Sequence, residues 1–245
     1  MGKRKLQRFA ETETFGNVFQ YECELKGKWN TGYFRNNNPL VLELGCGRGE
    51  YTVSMGEKMP EKNFIGIDIK GARLWRGAKT AFEQKISNIA FLRIQIETIE
   101  DYFEPAEVSE LWITFPDPQL QISRAKKRLT SPRFLNHYHR ILRPGGPIHL
   151  KTDSGELYDY TLEMIDRHGL ELHTHTSDLY GSALPDESLS IQTKYESVYL
   201  REGKRIHYIR FSLPEIYEPV NWKEAHKLWV EEQLNIAAEE KSEYS

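Results

Sequence analysis

Pro39-Leu40-Val41-Leu42-Glu43-Leu44-Gly45-Cys46-Gly47-Arg48-Gly49 is the stretch from which the fold can be read. Leu40 to Leu44 is a short, mostly apolar run, the composition of a parallel strand covered on both faces. Glycine then recurs at every second position. Without a Cβ the chain can take positive φ, turn sharply and bring its backbone close to a ligand. Glu50 to Lys58 reads as the opening of a helix. Strand, glycine turn and helix together form the nucleotide-binding corner of an open α/β sheet.

The glycine spacing narrows the ligand. The dinucleotide pattern G-x-G-x-x-G wants its third glycine one residue later, where this chain has Glu50, and no G-K-[ST] follows to make a phosphate loop. The acid-led form E-x-G-x-G-x-G is the one used by S-adenosylmethionine-dependent methyltransferases. That ligand carries a cationic sulfonium and an α-ammonium, which an acidic strand end suits. Glu43 would face the amino acid end, directly or through water. Asn63-Phe64-Ile65-Gly66-Ile67-Asp68 is a second apolar run ending in a carboxylate. Asp68 follows Gly49 at close to the ~20-residue spacing at which an acid meets ribose hydroxyls. The same residues would also make a plain tight turn with two solvent-facing acids at strand ends, and that alternative stays open.

Outward from this corner, strands and helices alternate. Strands are expected at Leu40–Leu44, Phe64–Asp68, Ile89–Ile94, Leu111–Thr114 and Ile148–Thr152, with Leu170–His175 and Arg205–Leu213 as an antiparallel edge. Helices are expected at Glu50–Glu57, Ala72–Lys85, Arg133–Leu142, Glu156–Arg167 and Trp222–Lys241. The pattern predicts an α/β fold, a Rossmann-like doubly wound, mostly parallel sheet. Residues 39–214 form the predicted methyltransferase domain, preceded by a basic arm and lead-in over 1–38. A helical extension over 215–245 is expected to pack on the same domain, with Trp222, Ala225, Trp229 and Ile236 on one stripe. Residues 1–20 lack periodicity and read as a flexible arm, ordered by a partner or simply solvated.

Composition excludes several classes. The chain has 245 residues, a net charge of −3 and mean hydropathy of −0.63, and no apolar run approaches the ~20 residues of a membrane span. The start is charged, without a signal-peptide core. Two cysteines, Cys23 and Cys46, make neither a disulfide framework nor a zinc pattern. The expectation is a soluble cytoplasmic protein without a resident metal, and monomer and homodimer both remain open. Positive charge is local: Lys3, Arg4, Lys5 and Arg8 near the start, then Arg124, Lys126, Lys127, Arg128 and Arg133. One such face is enough to contact phosphates on a protein that is acidic overall.

Ligands of such sheets bind beyond the carboxyl ends of the strands. The third strand ends near Gln95, placed to meet an adenine ring. The fourth ends in Phe115-Pro116-Asp117-Pro118, where two prolines fix φ and hold Asp117 in a stiff, extended loop. Asp117 could be aimed at a ligand or could cap nearby backbone. The fifth ends in Lys151-Thr152-Asp153. The pairs His137/His139 and His173/His175 lack a completing acid or cysteine and read as surface or core residues.

Phe115-Pro116-Asp117-Pro118, followed by Lys126-Lys127-Arg128-Leu129, resembles the bacterial tRNA (guanine-N7-)-methyltransferase family. The resemblance covers most of the chain: the glycine motif, Gly66-Ile67-Asp68, Leu142-Arg143-Pro144-Gly145-Gly146, Lys151-Thr152-Asp153, Thr193-Lys194-Tyr195-Glu196, and the basic start. It implies methyl transfer from S-adenosylmethionine to N7 of a guanine in the variable loop of tRNA. It implies cofactor binding by Glu43, Gly45, Gly47, Asp68, Gln95 and Asp117, with Asp117 also catalytic. Asp153 and Thr193, Lys194, Tyr195 and Glu196 would bind substrate. Lys126, Lys127 and Arg128 are expected on the tRNA backbone, or else on a solvated helix face. The family's usual W-x-K-x-R-H after the loop is replaced here by Gln119-Leu120-Gln121-Ile122-Ser123-Arg124. Either Arg124 and Lys126 take over the missing lysine, or substrate range or activity has drifted. A methyltransferase for another RNA or a small molecule, and a weakly active RNA-binding protein that keeps the cofactor pocket, are the alternatives.

Overall fold

The computed structural model describes residues 3–21 and 24–243; Cys23 and the side chains of Lys3, Arg4 and Lys5 lie outside the described residues. Eight strands form one sheet: β1 (Val18–Gln20), β2 (Leu40–Leu44), β3 (Asn63–Ile67), β4 (Ile89–Arg93), β5 (Glu110–Thr114), β6 (Pro147–Thr152), β7 (Glu171–Thr176) and β8 (His207–Ser212). Their order is β1-β4-β3-β2-β5-β6-β8-β7. From β1 to β6 every pairing is parallel; β8 runs antiparallel to both β6 and β7. The strand order reverses between β2 and β5, the switch point at which open α/β sheets bind ligands.

Alternation along each strand builds two cores. Leu40, Leu42 and Leu44 of β2 face one layer, packing with residues of α4 (Pro132–Ile141) and α5 (Gly155–Arg167). Val41 faces the other, with α2 (Glu50–Lys58) and α3 (Gly71–Glu83). Glu43 shares this second face, so its carboxylate is carried under α2 rather than into solvent.

The two ends of the chain depart from the sequence reading. Residues expected to be a flexible arm form helix α1 (Lys3–Thr12) and strand β1. Glu11 fastens α1 to α3, accepting from Lys79 Nζ at 2.6 Å and Trp75 Nε1 at 2.9 Å. Phe15 stacks on Phe82 with centroids 5.3 Å apart, and β1 then pairs beside β4. These contacts join residues more than 60 positions apart, so no local periodicity announced them. At the other end α7 (Trp222–Glu243) is longer than expected. Asn136 of α4 anchors its approach, donating to Val220 O at 2.8 Å and accepting from Val220 N at 3.0 Å. Trp229 is buried and donates through Nε1 to Glu163 of α5 at 2.9 Å. Ile236, expected on the buried stripe, is 49% exposed. A sixth helix in chain order, α6 (Lys194–Arg201), has no counterpart in the sequence reading.

Among the described residues no helix is long and apolar enough to cross a membrane.

Candidate active site

The glycine turn makes the floor of the site. Gly45, Gly47 and Gly49 all take positive φ, at 74°, 55° and 68°. At Gly49 an added Cβ would also lie 2.5 Å from the Phe91 ring, so glycine is required for both conformation and space. The N–H groups of Gly45 and Cys46 bond to Ile67 O, at 2.8 and 2.9 Å, tying the turn to the end of β3. Asp68 completes the tie. Its Oδ2 accepts from Gly47 N at 2.9 Å and its Oδ1 from Lys70 N at 2.7 Å. Each oxygen has two lone pairs, so both keep capacity for a ligand hydroxyl.

Glu43 lies beneath this turn, 2% exposed. Its Oε2 accepts from the backbone N of Thr52 at 2.8 Å and from the Thr52 hydroxyl; its Oε1 accepts from Thr114 Oγ1 at 2.5 Å. Burial outweighs these bonds and, with Asp68 nearby, raises its pKa to about 7. Burial, with Glu43 and Asp68 close by, also pushes the Cys46 thiol well up, so the site presents no thiolate nucleophile.

A cavity of about 650 Å³ opens above the turn, at the carboxyl ends of β2 to β5. Of the sequence-predicted residues, Glu43, Gly45, Gly47, Asp68, Gln95, Asp117, Thr193, Tyr195 and Lys127 line it. Asp117 is exposed at its mouth, with Oδ1 accepting from Gln119 N at 3.1 Å. Its loop is stiffer than the prolines alone would make it. Phe115 and Gln119 both hold φ of 48°, a region non-glycine residues seldom occupy, so the segment is bracketed by two strained residues.

Five predicted residues do not line this cavity. Glu196 is fully buried and turned away from it. With Thr193 it closes a capping box at the start of α6: Thr193 Oγ1 accepts from Glu196 N at 3.2 Å, and Glu196 Oε2 from Thr193 N at 3.3 Å. Its Oε1 meets Lys151 Nζ at 2.8 Å, and both side chains are 0% exposed. The motif Thr193-Lys194-Tyr195-Glu196 thus carries a T-x-x-E helix start, the signal that would have located α6. Arg128 is 4% exposed and does not reach a phosphate surface. It donates from Nε to Pro118 O at 3.1 Å and from Nη2 to Gln119 O at 3.3 Å, while its guanidinium stacks over Tyr160 at 4.3 Å. Asp153 pairs with Lys204 at 3.4 Å, and Lys194 contributes its backbone N to Glu50 at 2.8 Å. Lys126 turns toward α7. Within the basic run over residues 124–128 it is Lys127 that lines the cavity, with Arg48, Lys70 and Arg73 from other segments, whereas Arg124 and Lys126 were expected to take over from the family's lysine.

Tyr199, Phe134 and Arg73 also line the cavity and were missed. Tyr199 stands one helical turn beyond Tyr195, a relation visible once α6 is known. The histidine pairs have local partners: His137 meets Glu100 at 2.5 Å, and His175 meets Tyr158 at 2.7 Å. Among the described residues no group of three metal-ligating side chains converges.

A family model described as a putative methyltransferase matches residues 37–209. A protein of Christiangramia forsetii named tRNA (guanine-N(7)-)-methyltransferase is 52% identical over 220 residues, covering 86% of this chain and 98% of that protein. The chain belongs to the tRNA (guanine-N7-)-methyltransferase family. A family member from Bacteroides fragilis is 48% identical over 230 residues, covering 89% of this chain and 90% of its own. Among solved structures, the 16S rRNA methyltransferase KamB superposes with a TM-score of 0.57 at 14% identity, covering 77% of this chain and 93% of that one. That likeness supports the sheet architecture alone. Helix α7 lies outside the matched segment, so the contacts of Trp229 with Glu163 and of Trp222 with Arg133 add to what the family model describes.

Proposed function

We propose that this chain transfers a methyl group from S-adenosylmethionine to N7 of a guanine in tRNA. The observation that carries the reading is the meeting of Glu43, Asp68 and Asp117 around one cavity at the switch point of the sheet, on a chain half identical to enzymes of that name. The cavity volume of about 650 Å³ falls within the range that holds a cofactor-sized ligand.

Asp68, fixed by two backbone N–H groups, serves the ribose hydroxyls, and Gln95 lies at the rim for the adenine. Glu43 serves the amino acid end, directly or through water, from Oε1, which accepts only from Thr114 and keeps a lone pair, while Thr52 fills Oε2 with its backbone N and hydroxyl. S-adenosylmethionine, when bound there, would supply an electrophilic methyl on a cationic sulfur and a neutral thioether as the leaving group for the N7 lone pair. Guanine N7 has that lone pair in the ring plane and no proton to lose, so no general base is needed. The protein has to align the base and stabilise the positive charge that passes to the purine. Asp117 does both from its braced loop, accepting from the guanine N1–H and 2-amino edge and, through those bonds, stabilising the positive charge that spreads into the purine. Tyr195 and Tyr199 line the entrance for the base, and Lys127 serves a phosphate.

Labelled S-adenosylmethionine with unmodified tRNA tests the reading. Label recovered as N7-methylguanosine is expected. Label in another nucleoside would turn it toward another RNA methylation, and cofactor binding without transfer toward an RNA-binding role.

A further inference from the structure

A second cavity, about 240 Å³, shares a wall with the first. The wall is made by two pairs of sequence neighbours. Lys126 and Arg133 line the second cavity, whereas Lys127 and Phe134 line the cofactor cavity. Three aromatic side chains, Trp222, Trp229 and Tyr160, line it beside aliphatic residues such as Met164 and Leu228. Trp222 is half-buried, Trp229 is 7% exposed, and Tyr160 meets Trp229 edge-on with centroids 5.2 Å apart. The Arg133 guanidinium lies 5.4 Å from the Trp222 ring. Burial holds His226 below its ordinary pKa; the backbone of Ser123 works against that shift and the Lys126 charge adds a smaller push in the same direction as burial. The acid in the cleft, Glu232, is bonded to Arg167, and Arg133 at the wall meets Glu97 of the first cavity at 3.8 Å, so its charge is offset in part while Lys126 faces the cleft.

Flat rings beside cations are the pattern by which unpaired nucleotides are held: the base stacks, and the phosphate meets the charge. An RNA whose target guanine enters the cofactor cavity brings neighbouring nucleotides to the shared wall. We propose that the cleft between α7 and the start of α4 seats a tRNA nucleotide flanking the methylated guanine, with its base on Trp222 and its phosphate on Lys126 and Arg133. This rests on the proposed function. It gives α7 a role in reading the substrate.

The test compares the full chain with Trp222→Ala and Trp222→Phe on unmodified tRNA. Trp222→Ala should raise the KM for tRNA roughly tenfold, the order expected for one lost base stack, with kcat and the KM for S-adenosylmethionine unchanged. Trp222→Phe keeps a ring and should retain most of the affinity. If Trp222→Ala also weakens cofactor binding, Lys126→Gln decides, because it removes only a charge. It should lower the salt slope of tRNA binding by about 0.7, one single-strand phosphate contact. An unchanged tRNA KM in Trp222→Ala, or an unchanged slope in Lys126→Gln, overturns the subsite. A lower sedimentation mass at unchanged tRNA KM assigns the cleft to a second copy of the chain and overturns it too. These outcomes are distinct from failure of the proposed function, in which the unsubstituted chain itself leaves tRNA guanine unmethylated.

Discussion

Glu43 shows how burial and hydrogen bonding compete at a single residue. Its pKa of about 7 in the folded protein lies above the ordinary 4.5, so between those values the folded state holds a proton that the unfolded state has lost. Stability should therefore fall as pH rises from about 4.5 to 7 and then level off. The full loss would be about 3 kcal/mol. Glu43→Gln should flatten that part of the profile in urea unfolding at pH 5 and pH 8; an equally steep profile in the variant would place the titration elsewhere. Residue identity and spacing were sufficient to bring Glu43, Asp68 and Asp117 to one cavity, because all three stand at or just beyond strand ends. They were insufficient for Glu196 and Arg128. Sequence gives a charge but not its direction, and both of these side chains point inward.

At the scale of elements, the loop carrying Asp117 depends on a brace from outside it. Arg128 holds the carbonyls of Pro118 and Gln119, and its guanidinium lies 4.3 Å from the Tyr160 ring and 5.6 Å from that of Trp229. Lysine keeps the charge but not the planar fork. Arg128→Lys should reduce methyl transfer about tenfold through loss of alignment, with cofactor affinity retained. Equal transfer rates would show that the strained loop stands by itself. The buried Lys151–Glu196 pair makes a similar link between β6 and α6. Glu196→Gln leaves a buried ammonium without its counter-charge and should cost about 3–5 kcal/mol in denaturant unfolding. A loss below 1 kcal/mol would mean that Tyr180 and the carbonyls of Leu189 and Ile191 suffice for Lys151. β2 to β6 and β8 were legible because each carries an apolar run or an alternation, whereas β7, with Leu172 as its one apolar residue, was expected only as part of the antiparallel edge. α1 and β1 were not, because Glu11 and Phe15 find their partners on α3, far along the chain.

Across the whole molecule, the crossover between β2 and β5 gathers a glycine turn, a ribose-spaced acid and a strained acid-bearing loop at one mouth. Alternating strands and helices made that arrangement readable, as did the motifs at their ends. What the pattern could not supply was the partition around the mouth: Lys127 toward the cofactor cavity, Lys126 toward α7, and Arg128 into the interior. Three consecutive basic residues look alike in sequence, and a short 3₁₀ turn over Ile122–Lys127 separates their directions. In the proposed function this assembled mouth aligns guanine through Asp117. Single-turnover methyl transfer to unmodified tRNA, at saturating S-adenosylmethionine, tests it on the unsubstituted chain and on Asp117→Asn. N7-methylguanosine is expected from the first and a rate roughly 100-fold lower from the second, with cofactor affinity preserved. Equal rates in the two proteins would contradict it.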